Sequence, residues 1–365
     1  MARVKLEDVC ERGSSNLKQS DVVDKDGDYP IYGASGYIGN VDFYHQEQPY
    51  VAVVKDGAGI GRTTLHPAKS SVIGTMQYLL PKGNVLPEYL CYVVKYMHLE
   101  KYFTGATIPH IYFKDYKNEE FNLDSLDRQK EIVSTLNKIE KVIESRTKEL
   151  ELLDELIRAR FVELFGEPEA NTKNWPVVNM ADLCTVGSSK RIYQSEQSMD
   201  GVPFWRISDL TNLINTGMAT AELFIPEERY MMLQAQEQVP VEGDILVTSR
   251  GTLGQCYIVR ADDKFYFQDG MISWLSEYAD GITPLYIAYL FSMPGFRKQI
   301  DSMQAGSTVA YLSIAMIRKL KVMLPDMETQ NQFSAFVAQI DKSKFDIHKF
   351  LYCTTHNTQS IIKPR

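Results

Sequence analysis

The sequence predicts an α+β protein in which two similar domains, each with a small and mostly antiparallel sheet, are separated by two long helices. The helices are expected to form an antiparallel coiled coil and to give the chain pseudo-twofold symmetry. The 365 residues, with 44% hydrophobic and 24% charged side chains, have the length of two domains and an ordinary globular composition. The two halves also repeat each other in order. Each half ends in a heptad pattern.

The internal repeat is clearest at the two ends of each half. Val4–Cys10 resembles Val178–Cys184, an offset of 178 − 4 = 174, whereas Gln129 corresponds to Gln330, an offset of 330 − 129 = 201. Most of the increase in this offset, about 20 residues, falls between two further matches. They are Pro30 with Pro203 (offset 173) and Gly61 with Gly254 (offset 193). The pattern predicts two copies of one scaffold that differ in their loops.

The first heptad pattern lies in a stretch from Asp127 to Phe165 that contains neither glycine nor proline. As one helix this stretch would be about 58 Å long. Ser125 and, 201 residues later, Asp326 are suitable N-caps. We expect the two helices to pair through their apolar seams, although packing of each helix on its own domain is the alternative. The seam residues are Ile132, Leu136, Ile139, Ile143, Leu150, Leu153 and Ile157 in the first helix, and Phe333, Val337, Ile340, Ile347 and Leu351 in the second.

These patterns divide the chain into five segments. The domains are expected at residues 1–124 and 168–325, the helices at 125–167 and 326–352, and a C-terminal tail at 353–365. Short β-branched or aromatic runs predict strands, and two longer apolar stretches predict helices. The strands are Tyr50–Val54, Val72–Leu80, Asp244–Thr248 and Phe265–Phe267, and the helices are Glu88–Lys101 and Leu285–Met293.

Several function classes are disfavoured. The net charge of −8 argues against a chain that binds DNA by itself through a basic surface. Five scattered cysteines indicate reduced packing residues, and no catalytic or metal-binding motif is found among the dispersed histidines. Gly57, Gly59 and Gly61 follow a strand-like run as in a dinucleotide loop, but threonines and a proline follow instead of a helix. A tight β-turn is the preferred interpretation. The polar N-terminus and the lack of a long apolar run predict a cytoplasmic protein.

Polar side chains beside glycines remain as candidates for binding, because backbone can approach a ligand closely there. Arginine, lysine, glutamine and threonine can contact base edges, and serine hydroxyls can contact phosphates. The DNA-binding candidates are Lys55, Arg62, Thr63, Lys69 and Thr107 in the first half, and Ser188, Ser189, Lys190, Arg191, Arg250, Thr252, Gln255, Ser307 and Thr308 in the second.

The whole arrangement resembles the specificity subunit of type I restriction-modification systems. The module endings carry the resemblance: Gly306-Ser307-Thr308-Val309 leads to Gln330, and Gly105-Ala106-Thr107-Ile108 leads to Gln129. Arg250-Gly251-Thr252 also resembles the Arg-Gly-Thr turn that recurs in this family. The first copy departs from it with Asp56-Gly57-Ala58, which puts a base contact from that turn in doubt.

The resemblance implies a non-catalytic subunit whose two target recognition domains read a bipartite, asymmetric target in double-stranded DNA. The half-sites would lie about 34 Å apart if both domains approach the same face of the duplex. Methyltransferase (M) subunits would dock on the helices, and restriction (R) subunits would join the complex. No cofactor is expected in this chain, since S-adenosylmethionine, ATP and Mg belong to the partner subunits. One alternative is a coiled-coil adaptor that binds protein through two duplicated modules. A second is an enzyme that binds a nicotinamide or S-adenosylmethionine cofactor at Gly57–Gly61.

Overall fold

The computed structural model describes residues 2–22, 25–105, 109–217, 221–304 and 310–362. The chain divides into two compact units. Unit 1 consists of Met1–Glu149 together with Asp346–Arg365, and unit 2 consists of Leu150–Phe345. The boundaries between the units fall inside the two long helices, so that each helix contributes one part to each unit.

The described residues of unit 1 form three small sheets. Strands β1 and β9 pair with each other, the second sheet has the order β2-β8-β5-β6, and the third has the order β4-β3-β7. Among the strands that the structure describes in this unit, only β3 and β7 pair in parallel. The strands are β1 (Ala2–Lys5), β2 (Cys10–Ser14), β3 (Tyr29–Gly33), β4 (Gly36–Val41), β5 (Tyr50–Val54), β6 (Thr63–His66), β7 (Ser71–Val72), β8 (Met76–Pro81) and β9 (Glu120–Leu123). The short helices are α1 (Leu6–Val9), α2 (Pro87–Tyr96) and α3 (Phe113–Tyr116).

Unit 2 repeats these sheets strand for strand. Its orders are β10-β18, β11-β17-β14-β15 and β13-β12-β16, and again only the last pair of the third sheet is parallel. The strands are β10 (Val177–Asn179), β11 (Thr185–Gly187), β12 (Val202–Trp205), β13 (Phe224–Ile225), β14 (Ile245–Thr248), β15 (Cys256–Ile258), β16 (Tyr266–Phe267), β17 (Ile272–Ser276) and β18 (Lys321–Met323). The short helices are α5 (Ile207–Thr216), α6 (Glu227–Gln234), α7 (Pro284–Ser292), α8 (Pro294–Met303) and α9 (Ile314–Lys319). The predicted duplication and the mostly antiparallel sheets are therefore confirmed.

The extra residues of the second copy form helices. In unit 1 the hairpin between β3 and β4 closes through Ala34 and Ser35, whereas α5 lies between β12 and β13 in unit 2. Helix α6 follows β13, where unit 1 has no helix. The parallel strand pairs fix the alignment of the two copies before and after the inserted helices. Tyr32 pairs with Val72 in unit 1, and Trp205 pairs with Phe267 in unit 2. Tyr32 and Trp205 differ by 205 − 32 = 173, which is the offset expected from Pro30 and Pro203.

Two buried glutamines occupy equivalent positions in the units. Gln129 accepts a hydrogen bond from the Leu86 N–H at 2.8 Å and donates to the carbonyls of Asn84 and Asp124. Gln330 accepts from the Thr283 N–H at 2.8 Å and donates to the carbonyls of Gly281 and Pro325. Each glutamine thus joins the start of a long helix to the loop that precedes α2 or α7. Both side chains are fully buried, so these bonds satisfy polar groups that water does not reach.

The long helices are α4 (Leu126–Phe165, 40 residues) and α10 (Met327–Ile362, 36 residues). Their predicted caps are confirmed, because the Ser125 hydroxyl accepts from the Arg128 N–H at 3.4 Å and the Asp326 carboxylate accepts from the Thr329 N–H at 2.8 Å. Helix α10 continues ten residues past residue 352, through most of the segment expected to be a tail. No glycine or proline interrupts it before Pro364.

The predicted seams lie on the buried faces of both helices. Ile132, Leu136, Ile157, Phe333, Val337 and Ile347 are buried, while Ile139, Ile143, Leu150, Leu153, Ile340 and Leu351 are half-buried. Ile132 and Leu136 belong to the core of unit 1, together with residues of α2. This part of the seam therefore follows the alternative interpretation, in which a helix packs on its own domain.

Within unit 2 the end of α4 packs against the beginning of α10. Phe161 and Phe165 each lie 5.4 Å from the Phe333 ring, and Asp154 forms an ion pair with Lys344. Residue numbers rise along α4 while those of their partners fall along α10, so the helices run antiparallel there. The predicted pairing is confirmed in this unit.

Most of the short predicted elements are confirmed, with two corrections. Val72–Leu80 is not one strand, because a turn at Ile73–Thr75 separates β7 from β8. The helix at Glu88–Lys101 ends at Tyr96, and a 3-10 turn follows at Leu99–Tyr102. The cysteine interpretation is wrong for Cys353, which is exposed on α10, whereas Cys10, Cys91 and Cys184 are buried. Burial raises the pKa of the Cys91 thiol to about 11.

Candidate functional site

The glycine-containing segments of both units are turns of β-hairpins. In unit 1 the turn joins β5 to β6, and in unit 2 the corresponding turn joins β14 to β15. In each case the second strand of the hairpin begins two residues after the last glycine. The expected tight turn is therefore confirmed. A dinucleotide loop needs a helix N-terminus at this point, and β6 or β15 takes its place.

The backbone of the two turns is held in the same way. The N–H of Lys55 donates to the Thr75 carbonyl at 3.0 Å, and the Lys55 carbonyl accepts from the Ile111 N–H at 3.0 Å. In unit 2, Ser249 makes the same two bonds with Met271 and Leu312, at 2.9 and 3.0 Å. Lys55 and Ser249 are thus structural equivalents, and so are the residues that follow them, Asp56 and Arg250.

Gly57 and Gly251 come next and both have a positive φ, of 93° and 70°. This left-handed backbone conformation favours glycine, because it carries no Cβ. The two turns are closed by Gly61, whose N–H donates to the Val54 carbonyl, and by Gly254, whose N–H donates to the Thr248 carbonyl. The pairing of Gly61 with Gly254 in the sequence alignment is therefore confirmed.

The equivalent turn residues carry opposite charges and have different partners. The Asp56 carboxylate lies 2.5 Å from Nδ1 of His110, and the two side chains are 30% and 38% exposed. The exposed Arg250 guanidinium lies over the Tyr311 ring at 5.1 Å from its centre. His110 and Tyr311 also correspond, since 311 − 110 = 201. One backbone frame thus presents an acid with an imidazole in unit 1 and a guanidinium with a phenol ring in unit 2.

The other candidates of unit 1 are divided by burial and position. Arg62 is exposed and borders an open depression of about 580 Å³ that Lys95, His98 and Glu100 also line. Lys55 is half-buried. Thr63 is 4% exposed, and its hydroxyl donates to the Gly61 carbonyl at 3.0 Å, so the structure does not support a DNA contact by this side chain.

Lys69 is exposed but lies beyond the other end of the β5–β6 hairpin. Tyr50 pairs with His66 at that end, while Val53 pairs with Thr63 beside the turn. The four residues of β6 span about 13 Å. The structure therefore does not bring Lys69 and Arg62, two of the unit 1 candidates, together.

The loop after β11 contains four candidates of unit 2, and internal bonds hold all of them. The Ser188 hydroxyl donates to the Ile272 carbonyl and accepts from the Gly270 N–H. Ser189 is 8% exposed and donates to the Phe267 carbonyl at 2.7 Å, so direct phosphate binding by this hydroxyl is not supported. Lys190 donates to the Gln236 side chain, and Arg191 forms an ion pair with Asp269 at 2.9 Å.

Gln255 and Thr252 lie in the β14–β15 turn of unit 2. The Gln255 amide nitrogen donates to the Asn215 side chain of α5 at 3.2 Å, whereas its amide oxygen is buried and lacks a hydrogen-bond partner among the described residues. Thr252 is exposed and uses its carbonyl to accept the Thr248 hydroxyl. Thr107, Ser307 and Thr308 lie outside the described residues.

Sequence reasoning missed the aromatic partners of the turns. In the sequence His110 is one of several dispersed histidines, since the second copy has no histidine there, and no pattern singles out Tyr311. Each lies two residues after its motif, at 105–108 or 306–309, so extending the alignment at the same offset of 201 pairs them. Asp269, which neutralises Arg191, has no comparable signal in the sequence.

In the part of the chain that the structure describes, no group of three or more histidine, cysteine or acidic side chains could hold a metal ion. Within the same residues, no helix combines the length and the apolar character needed to cross a membrane.

A hairpin turn repeated in two α+β units, each of which contains part of both long helices, defines a protein built by internal duplication. The sequence profile of the type I restriction modification DNA specificity domain family matches residues 1–155 and 172–352. This match spans most of the chain, and the protein therefore belongs to that family. The resemblance inferred from the sequence is confirmed. The family is a non-catalytic one of DNA specificity, and no finding supports the protein-binding adaptor.

Individual relatives agree with this assignment. The MjaVIII type I restriction enzyme specificity subunit of Methanocaldococcus jannaschii is 24% identical over 315 residues, which cover 80% of this chain and 72% of that protein. The crystal structure of the type I restriction-modification S subunit from M. genitalium aligns with a TM-score of 0.57 and 16% identity, over 99% of this chain and 94% of that one. A chain from a structural study of type I complex assembly and conformational transition aligns with a TM-score of 0.54 and 14% identity, over 99% and 96% of the two chains. The two structures establish the shared fold.

Proposed function

We propose that this chain is the sequence-specific DNA recognition subunit of a type I restriction-modification complex and reads a bipartite, asymmetric target. One observation carries the proposal beyond family membership. The same hairpin turn recurs in units 1 and 2, held by the same backbone bonds, yet it presents Asp56 with His110 in one and Arg250 with Tyr311 in the other. Two copies of one frame with unlike polar side chains suit the recognition of two unlike half-sites.

The charge of the chain indicates that partner subunits supply much of the DNA affinity. The net charge is −8, and surface cations such as Arg191 and Lys264 are paired with acids. Affinity for a duplex depends largely on cations that neutralise phosphates. M subunits docked on the long helices would provide these cations and the S-adenosylmethionine chemistry. R subunits would use ATP and Mg within the same complex.

Apolar side chains on the long helices support such docking. Leu152 and Leu156 on α4 are 50% and 47% exposed. Phe345 and Tyr352 on α10 are 67% and 57% exposed. Large apolar groups gathered on a helix surface are typical of protein interaction sites. These residues are therefore the expected places of contact with partner subunits.

The proposal is tested by expressing the chain with its cognate M subunits in a host without DNA methylation. Methylated positions are then mapped by single-molecule sequencing. The expected result is one motif with two specific halves separated by unread bases. A chimera in which residues 1–124 come from a related specificity subunit should change one half and leave the other intact. We also propose that the chain is cytoplasmic, and fractionation of the same host tests this location.

Three outcomes would contradict this function: no sequence-specific methylation, a single continuous motif, or a change in both halves of the motif in the chimera. The adaptor alternative predicts the first of them, since an adaptor would not select a DNA sequence. DNA binding by the complex should also weaken steeply with salt, as expected for phosphate contacts.

A further inference from the structure

Asp56 in the hairpin turn of unit 1 occupies the position that Arg250 has in unit 2. This difference in charge limits what unit 1 can bind at its turn. Arg250 is an exposed cation without a carboxylate partner among the described residues. A guanidinium in this state can donate to a phosphate or to the acceptor atoms of guanine. Asp56, by contrast, offers only acceptor oxygens when ionised. The two equivalent turns therefore need opposite hydrogen-bonding partners.

A carboxylate at a DNA surface is repelled by the phosphates, so it is favourable only beside a hydrogen-bond donor. The donors exposed in the major groove are the exocyclic amino groups of cytosine and adenine. Both thymine and guanine present a carbonyl acceptor at the corresponding position. At the strand position that it faces, an acid in the turn thus requires an amino-bearing base and disfavours the carbonyl-bearing base of the same pair. A phosphate contact makes no such distinction.

His110 makes Asp56 suitable for this task. The imidazole holds one carboxylate oxygen, Oδ1, at 2.5 Å and thereby fixes the orientation of the group. The other oxygen, Oδ2, has no hydrogen-bond partner among the described residues. The carboxylate is also partly exposed, at 30%. A fixed acceptor with one unused oxygen is pre-organised for a single directional hydrogen bond.

We infer that Asp56 is a specificity-determining residue of unit 1, whose carboxylate accepts a hydrogen bond from the exocyclic amino group of a cytosine or an adenine in the half-site of that unit. The inference rests on the proposed function. The inference adds the chemical class of one base in one half-site. It also gives Asp56 a direct contact with DNA, at the position where the turn of unit 2 has Arg250.

The test uses the complex with its M subunits and compares the methylation motif of the wild type with those of four variants of the chain. Asp56→Ala removes the acceptor, and Asp56→Asn keeps its shape but adds a donor. Asp42→Ala is the matched control, because it removes one exposed acidic charge from unit 1 at the end of β4. Arg250→Gln changes the equivalent turn of unit 2.

In the wild-type complex one base pair of the unit 1 half-site should be required in a single orientation, with its cytosine or adenine on one fixed strand, because every base pair carries one such amino group. Asp56→Ala should lower the discrimination at that pair roughly tenfold to a hundredfold. Asp56→Asn should alter the preference at the same pair, since its amide can also donate. Asp42→Ala should preserve the motif, and Arg250→Gln should affect only the other half-site. The methylation motif obtained by sequencing shows whether the base required at this pair is a cytosine or an adenine.

The inference is overturned if both Asp56 variants retain every preference of the wild type. It is overturned equally if they reduce methylation of all sequences to the same extent, because the acid would then act without reading a base. A wild-type complex that marks no bipartite sequence would refute the proposed function itself, which separates the two failures. Melting curves of each purified complex confirm that the variants are folded.

Discussion

Replacing the buried glutamine at the start of each long helix should destabilise its unit in proportion to the hydrogen bonds lost. Gln330 takes part in four side-chain bonds, counting both the N–H and the hydroxyl of Thr283, and Gln129 takes part in three. At about 1 kcal/mol for each bond, Gln330→Leu should cost about 4 kcal/mol and Gln129→Leu about 3 kcal/mol. Leucine has a similar size, so the loss reflects the hydrogen-bonding groups left unpaired and not a cavity.

Unit 2 offers a convenient assay for this prediction. The three tryptophans of the chain, Trp175, Trp205 and Trp274, all lie in unit 2. Tryptophan fluorescence during urea denaturation therefore follows the unfolding of that unit. Gln332→Leu is the control, since this side chain is exposed on the same helix two residues further on. A loss below about 1 kcal/mol for Gln330→Leu, or one equal to the control, would refute the hydrogen-bond argument.

Three further predictions concern other parts of the chain. His66 is 6% exposed and burial lowers its pKa from an ordinary 6.5 to about 4, so the unfolded chain binds its proton more tightly. The contribution of His66 to the free energy of unfolding should be fully present above pH 6.5 and fall by about 3 kcal/mol as the pH drops to about 4. Urea denaturation across this pH range should give a flatter profile for His66→Gln than for the wild type. Equal profiles would contradict the argument. Phe333→Ala should lower the free energy of unfolding, measured by urea denaturation, by about 3 to 5 kcal/mol, because the Phe333 ring is fully buried among aromatic rings. Phe345→Ala, at a position that is 67% exposed, should cost far less. Similar losses for the two variants would count against the packing argument. Arg62→Gln should weaken DNA binding by the complex uniformly across sequences and reduce the slope of log affinity against log salt by about 1, as measured by titration at several salt concentrations; an unchanged slope would exclude a phosphate contact.

The agreement between sequence and structure is greatest where the signal is local or lies in the order of the repeat. The caps at Ser125 and Asp326 and the absence of helix breakers predicted α4 and α10 to within one residue at their starts. The alignment of Gly61 with Gly254 predicted the equivalence of two turns, because the backbone of each turn depends on a glycine at that place. These features need only neighbouring residues or a fixed spacing along the chain.

The partners of the polar side chains required the folded chain. Asp56 and His110 are 54 positions apart, and Ser189 donates to a carbonyl 78 positions away. Neither contact leaves a trace in the local sequence, since the hydrogen bonds of such groups depend on which strands become neighbours. The sequence predicts polar and similar loops in both copies. The folded chain uses some of their polar side chains for internal hydrogen bonds and leaves others exposed to solvent.

The sequence by itself thus determined the α+β class, the duplication, the two heptad helices and the family, since periodicity, breaker residues and repeat offsets are written along the chain. The tertiary structure decided which polar groups remain available at the turns. It buried Thr63 and Ser189, paired Arg191 with Asp269, and left Arg250 exposed over an aromatic ring. The physical reason is that a polar group is free to bind a ligand only when the folded chain has not already satisfied its hydrogen bonds, and that depends on contacts between distant segments.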